Sequence, residues 1–96
     1  MSPRVLVVED DDDLREIVCE VLEGAGYEAK AACGGEEALV VLEDPVRPDV
    51  ILLDLTMPGM SGFELRERLL RTPELRAIPT IVMTASRAIS APDRSP

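Results

Sequence analysis

The chain of 96 residues contains no histidine, no tryptophan and a single lysine, and only two of its residues are aromatic. With no histidine, and with Cys19 and Cys33 outside any metal-ligand spacing, a zinc site of the usual cysteine and histidine type is excluded. The apolar core must therefore be built from Val, Leu, Ile, Ala and Met, a composition typical of a parallel sheet flanked by helices.

Basic residues are also scarce, because the formal net charge is -9. A nucleic-acid surface needs clustered Lys and Arg, so this balance argues against nucleic-acid binding and favours an acidic pocket or basic partners. No apolar run approaches the length that crosses a membrane, and the first residues do not resemble a secretion signal. We expect a soluble cytoplasmic protein with reduced thiols and no membrane association.

Apolar runs with strand character alternate with one-sided helical patterns along a single domain. The short connections allow only βαβ crossovers, which are right-handed, so the sequence predicts an α/β fold with a doubly wound parallel sheet. The predicted strands cover residues 5–8, 27–32, 49–54 and 80–83. The predicted helices cover a segment capped by Asp11 or Asp12, then residues 36–44 and 62–71, with Ile17, Val21, Phe63 and Leu70 among the side chains expected to face the core.

Polar side chains follow three of these strands, at the edge of the sheet where carboxyl ends meet. Glu9 and Asp10 follow the first strand, Asp54 ends the third and Thr84 follows the fourth. Glu9 and Asp10 precede the helix cap and have no structural role that the pattern reveals. Clustered carboxylates repel one another unless a cation lies between them, and Mg²⁺ prefers such oxygen ligands. A carboxylate beside Mg²⁺ can attack phosphorus, with a hydroxyl such as that of Thr84 donating to the transferred group.

Three segments resemble the signatures of response-regulator receiver domains. They are Val7-Val8-Glu9-Asp10, the segment Leu53-Asp54-Leu55-Thr56-Met57-Pro58-Gly59-Met60-Ser61-Gly62, and Val82-Met83-Thr84-Ala85. The resemblance covers residues 4–86 and implies the flavodoxin-like strand order 2-1-3-4 of CheY.

The resemblance also implies a function, which is two-component signal transduction. Asp54 would be the phosphoacceptor, and Glu9, Asp10, Asp54 and the backbone carbonyl of Thr56 would hold Mg²⁺. Thr84 and the backbone of Ala85 would bind the phosphoryl group. The donor would be a sensor histidine kinase or a phosphotransfer protein. The domain would not be an enzyme beyond catalysing its own phosphorylation and dephosphorylation.

The chain departs from this family at its C-terminal end. Residues 1–86 are expected to form an incomplete, C-terminally truncated receiver, and residues 87–96 a polar tail, with no recognisable fifth strand or final helix. The family's lysine at the end of the fifth strand has no counterpart, because the sole lysine, Lys30, falls in the second strand. An open edge at residues 80–83 and an uncovered face of the first helix lead us to expect a homodimer.

Two other functions remain open from the residues. A degenerate receiver would keep its acids but act only as an interaction or dimerisation module. A haloacid-dehalogenase-like phosphotransferase also uses a strand-end Asp with Mg²⁺, but it needs a second Asp two residues later, where this chain has Thr56.

Overall fold

The computed structural model describes residues 2–54 and 62–83, which form four parallel strands and three helices. In chain order these are β1 (Arg4–Val8), α1 (Asp12–Gly24), β2 (Glu28–Ala32), α2 (Gly35–Val41), β3 (Val50–Asp54), α3 (Gly62–Arg71) and β4 (Thr80–Met83). The strand order is β2-β1-β3-β4, and every neighbouring pair is parallel. The predicted doubly wound α/β sheet is confirmed, and the described residues contain no fifth strand.

The main core lies on the face of the sheet that α2 and α3 cover. Successive residues of a strand point to opposite faces, so Leu6 and Val8 face this core while Val5 and Val7 face the other side. The core is a cluster of buried aliphatic side chains, comprising Leu6, Val8, Ala32, Ala38, Leu42, Ile51, Leu53, Leu65, Leu69 and Leu75. β1 and β3 are the two inner strands, and their continuous apolar runs match burial on both faces.

α1 packs on β1 and β2 and has well-defined ends. Asp11 is its N-cap, since the Asp11 carboxylate accepts a hydrogen bond of 3.0 Å from the amide of Leu14. After the helix, Gly26 has a φ of 98°, which side-chain-bearing residues rarely adopt. The turn that starts β2 therefore depends on glycine at this position.

Four side chains expected in the core are exposed instead. Ile17 and Val21 are 55% and 66% exposed, because among the described elements α1 packs mainly on β1 and β2, on its other side. Phe63 and Leu70 are 64% and 54% exposed, because the buried stripe of α3 consists of Leu65 and Leu69, four residues apart. α2 is also shorter than expected and ends at Val41 rather than at residue 44.

Candidate metal centre

Strand register brings the acidic residues that follow β1 close to Asp54 at the end of β3. Val8 of β1 lies opposite Leu53 of β3, so Glu9 and Asp54 follow side by side at the carboxyl edge of the sheet. Oxygen atoms of Glu9, Asp10 and Asp54 all lie within 4.8 Å of one another. The structure therefore brings together the three carboxylates that the sequence placed at this edge.

Two of these carboxylates are removed from water. Glu9 is 2% exposed and Asp54 is 4% exposed. The Oε2 atom of Glu9 accepts a hydrogen bond of 3.1 Å from the amide of Asp11. Its Oε1 atom is buried and has no hydrogen-bond partner among the described residues. When Glu9 is ionised, leaving this buried acceptor unpaired costs about 1–3 kcal/mol, so a ligand at Oε1 would stabilise the ionised form.

The environment of Glu9 disfavours its ionised form. Burial is the main cause, and the nearby charge of Asp54 adds to it, whereas the hydrogen bond from the Asp11 amide opposes the effect. Together they raise the pKa of Glu9 from 4.5 to about 7. In the absence of a cation, a large fraction of Glu9 is therefore protonated at neutral pH.

Arg15 is a supporting residue that sequence reasoning missed. Its Nη1 donates a hydrogen bond of 2.9 Å to the backbone carbonyl of Glu9, and its Nη2 contacts the Asp12 carboxylate at 2.6 Å. Arg15 thus ties the first turns of α1 to the peptide group between Glu9 and Asp10. The spacing of three residues between Asp12 and Arg15 on a helix was a signal for the ion pair, but the contact with Glu9 depends on the tertiary fold.

The role expected for Glu9 from the sequence was too narrow. The pattern gave it no structural role, but its hydrogen bond to the Asp11 amide satisfies a donor just before α1 begins. Glu9 therefore both shapes the loop that enters the helix and contributes an oxygen to the acidic cluster.

The chemistry of this cluster fits a hard divalent cation. Three carboxylates offer oxygen ligands only, and one of their oxygens is buried without a partner. Mg²⁺ is commonly bound by a small number of carboxylates together with water and phosphate oxygens. Glu9, Asp10 and Asp54 are therefore suited to hold Mg²⁺.

The structure does not describe three further residues that were expected at the site. Thr56, Thr84 and Ala85 lie outside the described residues. Lys30 lies on β2 beside Leu6 and is exposed. It lines a cavity of about 460 Å³ that also includes Arg4 at the start of β1, at the opposite end of the strand from Glu9. Lys30 thus lies on the second strand, where the sequence pattern placed it.

Comparisons with known proteins identify the family. A profile of the response regulator receiver domain matches residues 5–94. The chain is 39% identical over 85 residues to the phosphate regulon transcriptional regulatory protein PhoB of Rhizobium meliloti, and 42% identical to PhoB of Escherichia coli. These matches cover 88% of this chain but only 37% of each relative, so the chain spans just over a third of their length.

A solved structure of a receiver-like protein is also similar to this chain. The chemotaxis protein CheY4 of Vibrio cholerae superimposes with a TM-score of 0.82 at 32% identity, covering 90% of this chain and 71% of CheY4.

No helix in the described part of the chain is long and apolar enough to span a bilayer. The chain belongs to the response regulator receiver domain family of two-component signalling systems.

Proposed function

We propose that Asp54 accepts a phosphoryl group from the phosphohistidine of a sensor histidine kinase or phosphotransfer protein. The observation that carries this proposal is the grouping of the buried Asp54 with Glu9 and Asp10 within 4.8 Å at the carboxyl edge of the sheet. Ligands bind at this edge in open parallel sheets, and this location supports a role for Asp54 with an incoming group.

Phosphoryl transfer to Asp54 needs a carboxylate oxygen as the nucleophile and a leaving group that can accept the bonding electron pair. One carboxylate oxygen of Asp54 forms the new bond to phosphorus as the bond from phosphorus to the histidine nitrogen breaks. The imidazole leaves with the bonding electron pair and takes up a proton. The product is an acyl phosphate on Asp54.

Glu9 and Asp10 would hold Mg²⁺ together with Asp54, and by family resemblance the carbonyl of Thr56 would join them. When bound, Mg²⁺ neutralises charge on the phosphoryl oxygens. The protein's own contribution is orientation: β1 and β3 fix the ligands in register, and Arg15 holds the Glu9 carbonyl. By the same resemblance, Thr84 and the backbone of Ala85 would donate to the phosphoryl group.

One observation favours a second function, that of an interaction module without a switch. Lys30 is the only lysine of the chain, and it lies on β2. By family resemblance, a lysine against the phosphate helps to couple phosphorylation to a change of shape, and among these 96 residues only Lys30 is a lysine. In this second function the fold and the acidic cluster are retained, and only the change of shape on phosphorylation is lost.

Labelling with acetyl phosphate tests the two functions. We expect the wild type to gain the mass of one phosphoryl group with Mg²⁺ and much less with EDTA. Asp54→Asn should remain unlabelled, because the amide cannot form an acyl phosphate, while the matched control Asp13→Asn at an exposed site should be labelled normally.

Each other outcome has a clear meaning. Labelling that persists in Asp54→Asn would show that another residue is the acceptor. A wild type that is folded and binds Mg²⁺ but is never labelled would favour the interaction module. If Mg²⁺ left the stability of the folded protein unchanged, the proposed metal site would lose its support.

A further inference from the structure

Asp10 is the least enclosed member of the acidic cluster. Glu9 and Asp54 are buried, so surrounding groups restrict their carboxylates, whereas Asp10 is not buried. A side chain that packing restricts less keeps more rotamer freedom, so the position of the Asp10 carboxylate depends more on the backbone that carries it. Mg²⁺ demands near-ideal octahedral geometry. The backbone at Asp10 must therefore be held accurately if this carboxylate is to serve as a ligand.

Two hydrogen bonds hold the backbone on either side of Asp10. The peptide group before it is held through the Glu9 carbonyl, which accepts a hydrogen bond of 2.9 Å from Nη1 of Arg15. The peptide group after it is held through the Asp11 amide, which donates a hydrogen bond of 3.1 Å to Oε2 of Glu9. Of the two side chains that make these contacts, that of Arg15 lies outside the cluster of carboxylates.

The Arg15 side chain is itself held in place. Its Nη2 contacts a carboxylate oxygen of Asp12 at 2.6 Å, and only 20% of the Arg15 side chain is exposed. The guanidinium is planar and rigid, so binding Nη2 to Asp12 also restricts the direction of Nη1. The guanidinium therefore connects the start of α1 to the peptide group between Glu9 and Asp10.

We infer that Arg15 is a positioning residue for the metal site and that it acts through Asp10. By fixing the peptide group before Asp10, the guanidinium holds that carboxylate where it can bind Mg²⁺ together with Glu9 and Asp54. Substituting groups that orient metal ligands from outside the coordination sphere typically costs about 10–100-fold in metal affinity. This role rests on the proposed function, because it requires that the cluster binds Mg²⁺.

The charge of Arg15 acts in the opposite direction to its contacts. A cation close to the cluster repels Mg²⁺, so removing the charge alone would strengthen binding. Loss of orientation would weaken binding. A role confined to the stability of the fold would leave the affinity of the folded protein unchanged. The sign of the change in Mg²⁺ affinity therefore separates these three roles.

Urea unfolding with and without Mg²⁺ measures this affinity. For each protein, the gain in unfolding free energy across a Mg²⁺ series gives the dissociation constant, and the same protein in EDTA provides the baseline for its own fold stability. The chain has no tryptophan, so circular dichroism follows unfolding. The measurements are made at about pH 8, above the pKa of about 7 of Glu9, so that this carboxylate is ionised.

We expect Arg15→Ala and Arg15→Lys each to raise the dissociation constant of Mg²⁺ about tenfold. Lysine keeps the positive charge but has a single nitrogen, which cannot reproduce the rigid pair of contacts to Glu9 and Asp12. Arg71→Ala is the matched control. It removes an arginine whose exposed ion pair with Glu67 lies at the end of α3, and the dissociation constant should keep its wild-type value.

A double substitution tests whether Arg15 acts through Asp10. In Asp10→Asn the carboxylate that Arg15 orients is already lost. Adding Arg15→Ala to this variant should weaken Mg²⁺ binding by less than about twofold, because substitutions that act through one ligand are not additive. A loss of about tenfold in both backgrounds would show that Arg15 does not act through Asp10.

Two other results would overturn the positioning role. One is an Mg²⁺ affinity of Arg15→Ala that equals or exceeds that of the wild type. The other is an Arg15→Lys protein that binds Mg²⁺ as tightly as the wild type, which would show that the paired contacts are not needed. In both cases a wild type that binds Mg²⁺ and is labelled at Asp54 would leave the proposed function intact. A wild type indifferent to Mg²⁺ would refute the metal site itself, and the positioning role with it.

Discussion

Replacing Glu9 with glutamine should stabilise the metal-free protein at mildly alkaline pH. Glu9 has a pKa raised from 4.5 to about 7 by burial and by Asp54. The folded state therefore binds this proton more tightly than the unfolded chain. The resulting stability is fully present below pH 4.5 and is lost as the pH rises through about 7. Glutamine stays neutral, and its amide oxygen can still accept the hydrogen bond from Asp11 that Glu9 Oε2 accepts now.

The expected size follows from the pKa. A change from 4.5 to about 7 corresponds to about 3 kcal/mol of unfolding free energy. Urea unfolding in EDTA measures this from about pH 5 to about pH 8. Relative to the wild type, Glu9→Gln should gain most of that free energy as the pH rises. The exposed control Glu16→Gln should follow the wild type.

In Mg²⁺ at about pH 8, the wild type should become more stable to urea than Glu9→Gln, because a ligand stabilises only the protein that binds it. The wild type retains all three carboxylates, whereas Glu9→Gln has lost one. If the two proteins showed the same pH dependence in EDTA, the assignment of Glu9 as a buried group of raised pKa would be wrong.

Three further outcomes follow from the site and the core. Asp10→Asn should remove most of the rise in melting temperature that Mg²⁺ gives the wild type, as measured by calorimetry, and an unchanged rise would exclude Asp10 as a ligand. Leu65→Ala should lower the unfolding free energy by about 2–5 kcal/mol in urea, since Leu65 is fully buried in the core; a loss well below this range would contradict that packing. Asp11→Ala should cost about 1 kcal/mol by the same measurement, because it removes the cap on the Leu14 amide, and Asp13→Ala serves as its control.

The strands and their order could be predicted because their signals are local and strong. Residues 5–8 and 50–53 are uninterrupted aliphatic runs too short for helices, which is the pattern of strands buried on both faces. Right-handed crossovers then leave few possible arrangements. The end of α2 was harder to place, because helix boundaries depend on the last few hydrogen bonds rather than on the apolar pattern.

The extent of burial could not be predicted from helical pattern alone. Ile17 and Val21 lie on the apolar side of α1, but burial also requires a neighbouring element on that side. Within the described residues α1 packs mainly on β1 and β2, and the sequence pattern of α1 carries no information about its neighbours. Phe63 and Leu70 of α3 are exposed for a similar reason, since Leu65 and Leu69 fill the contact with the core.

The carboxylates of the site could be predicted, but their states could not. Strand ends gave Glu9, Asp10 and Asp54 as neighbours, and their oxygens do lie together. The pattern could not show that Glu9 would be buried with one oxygen unpaired, because that depends on how the loop before α1 folds back on β1. The contact between Arg15 and the Glu9 carbonyl has the same tertiary origin.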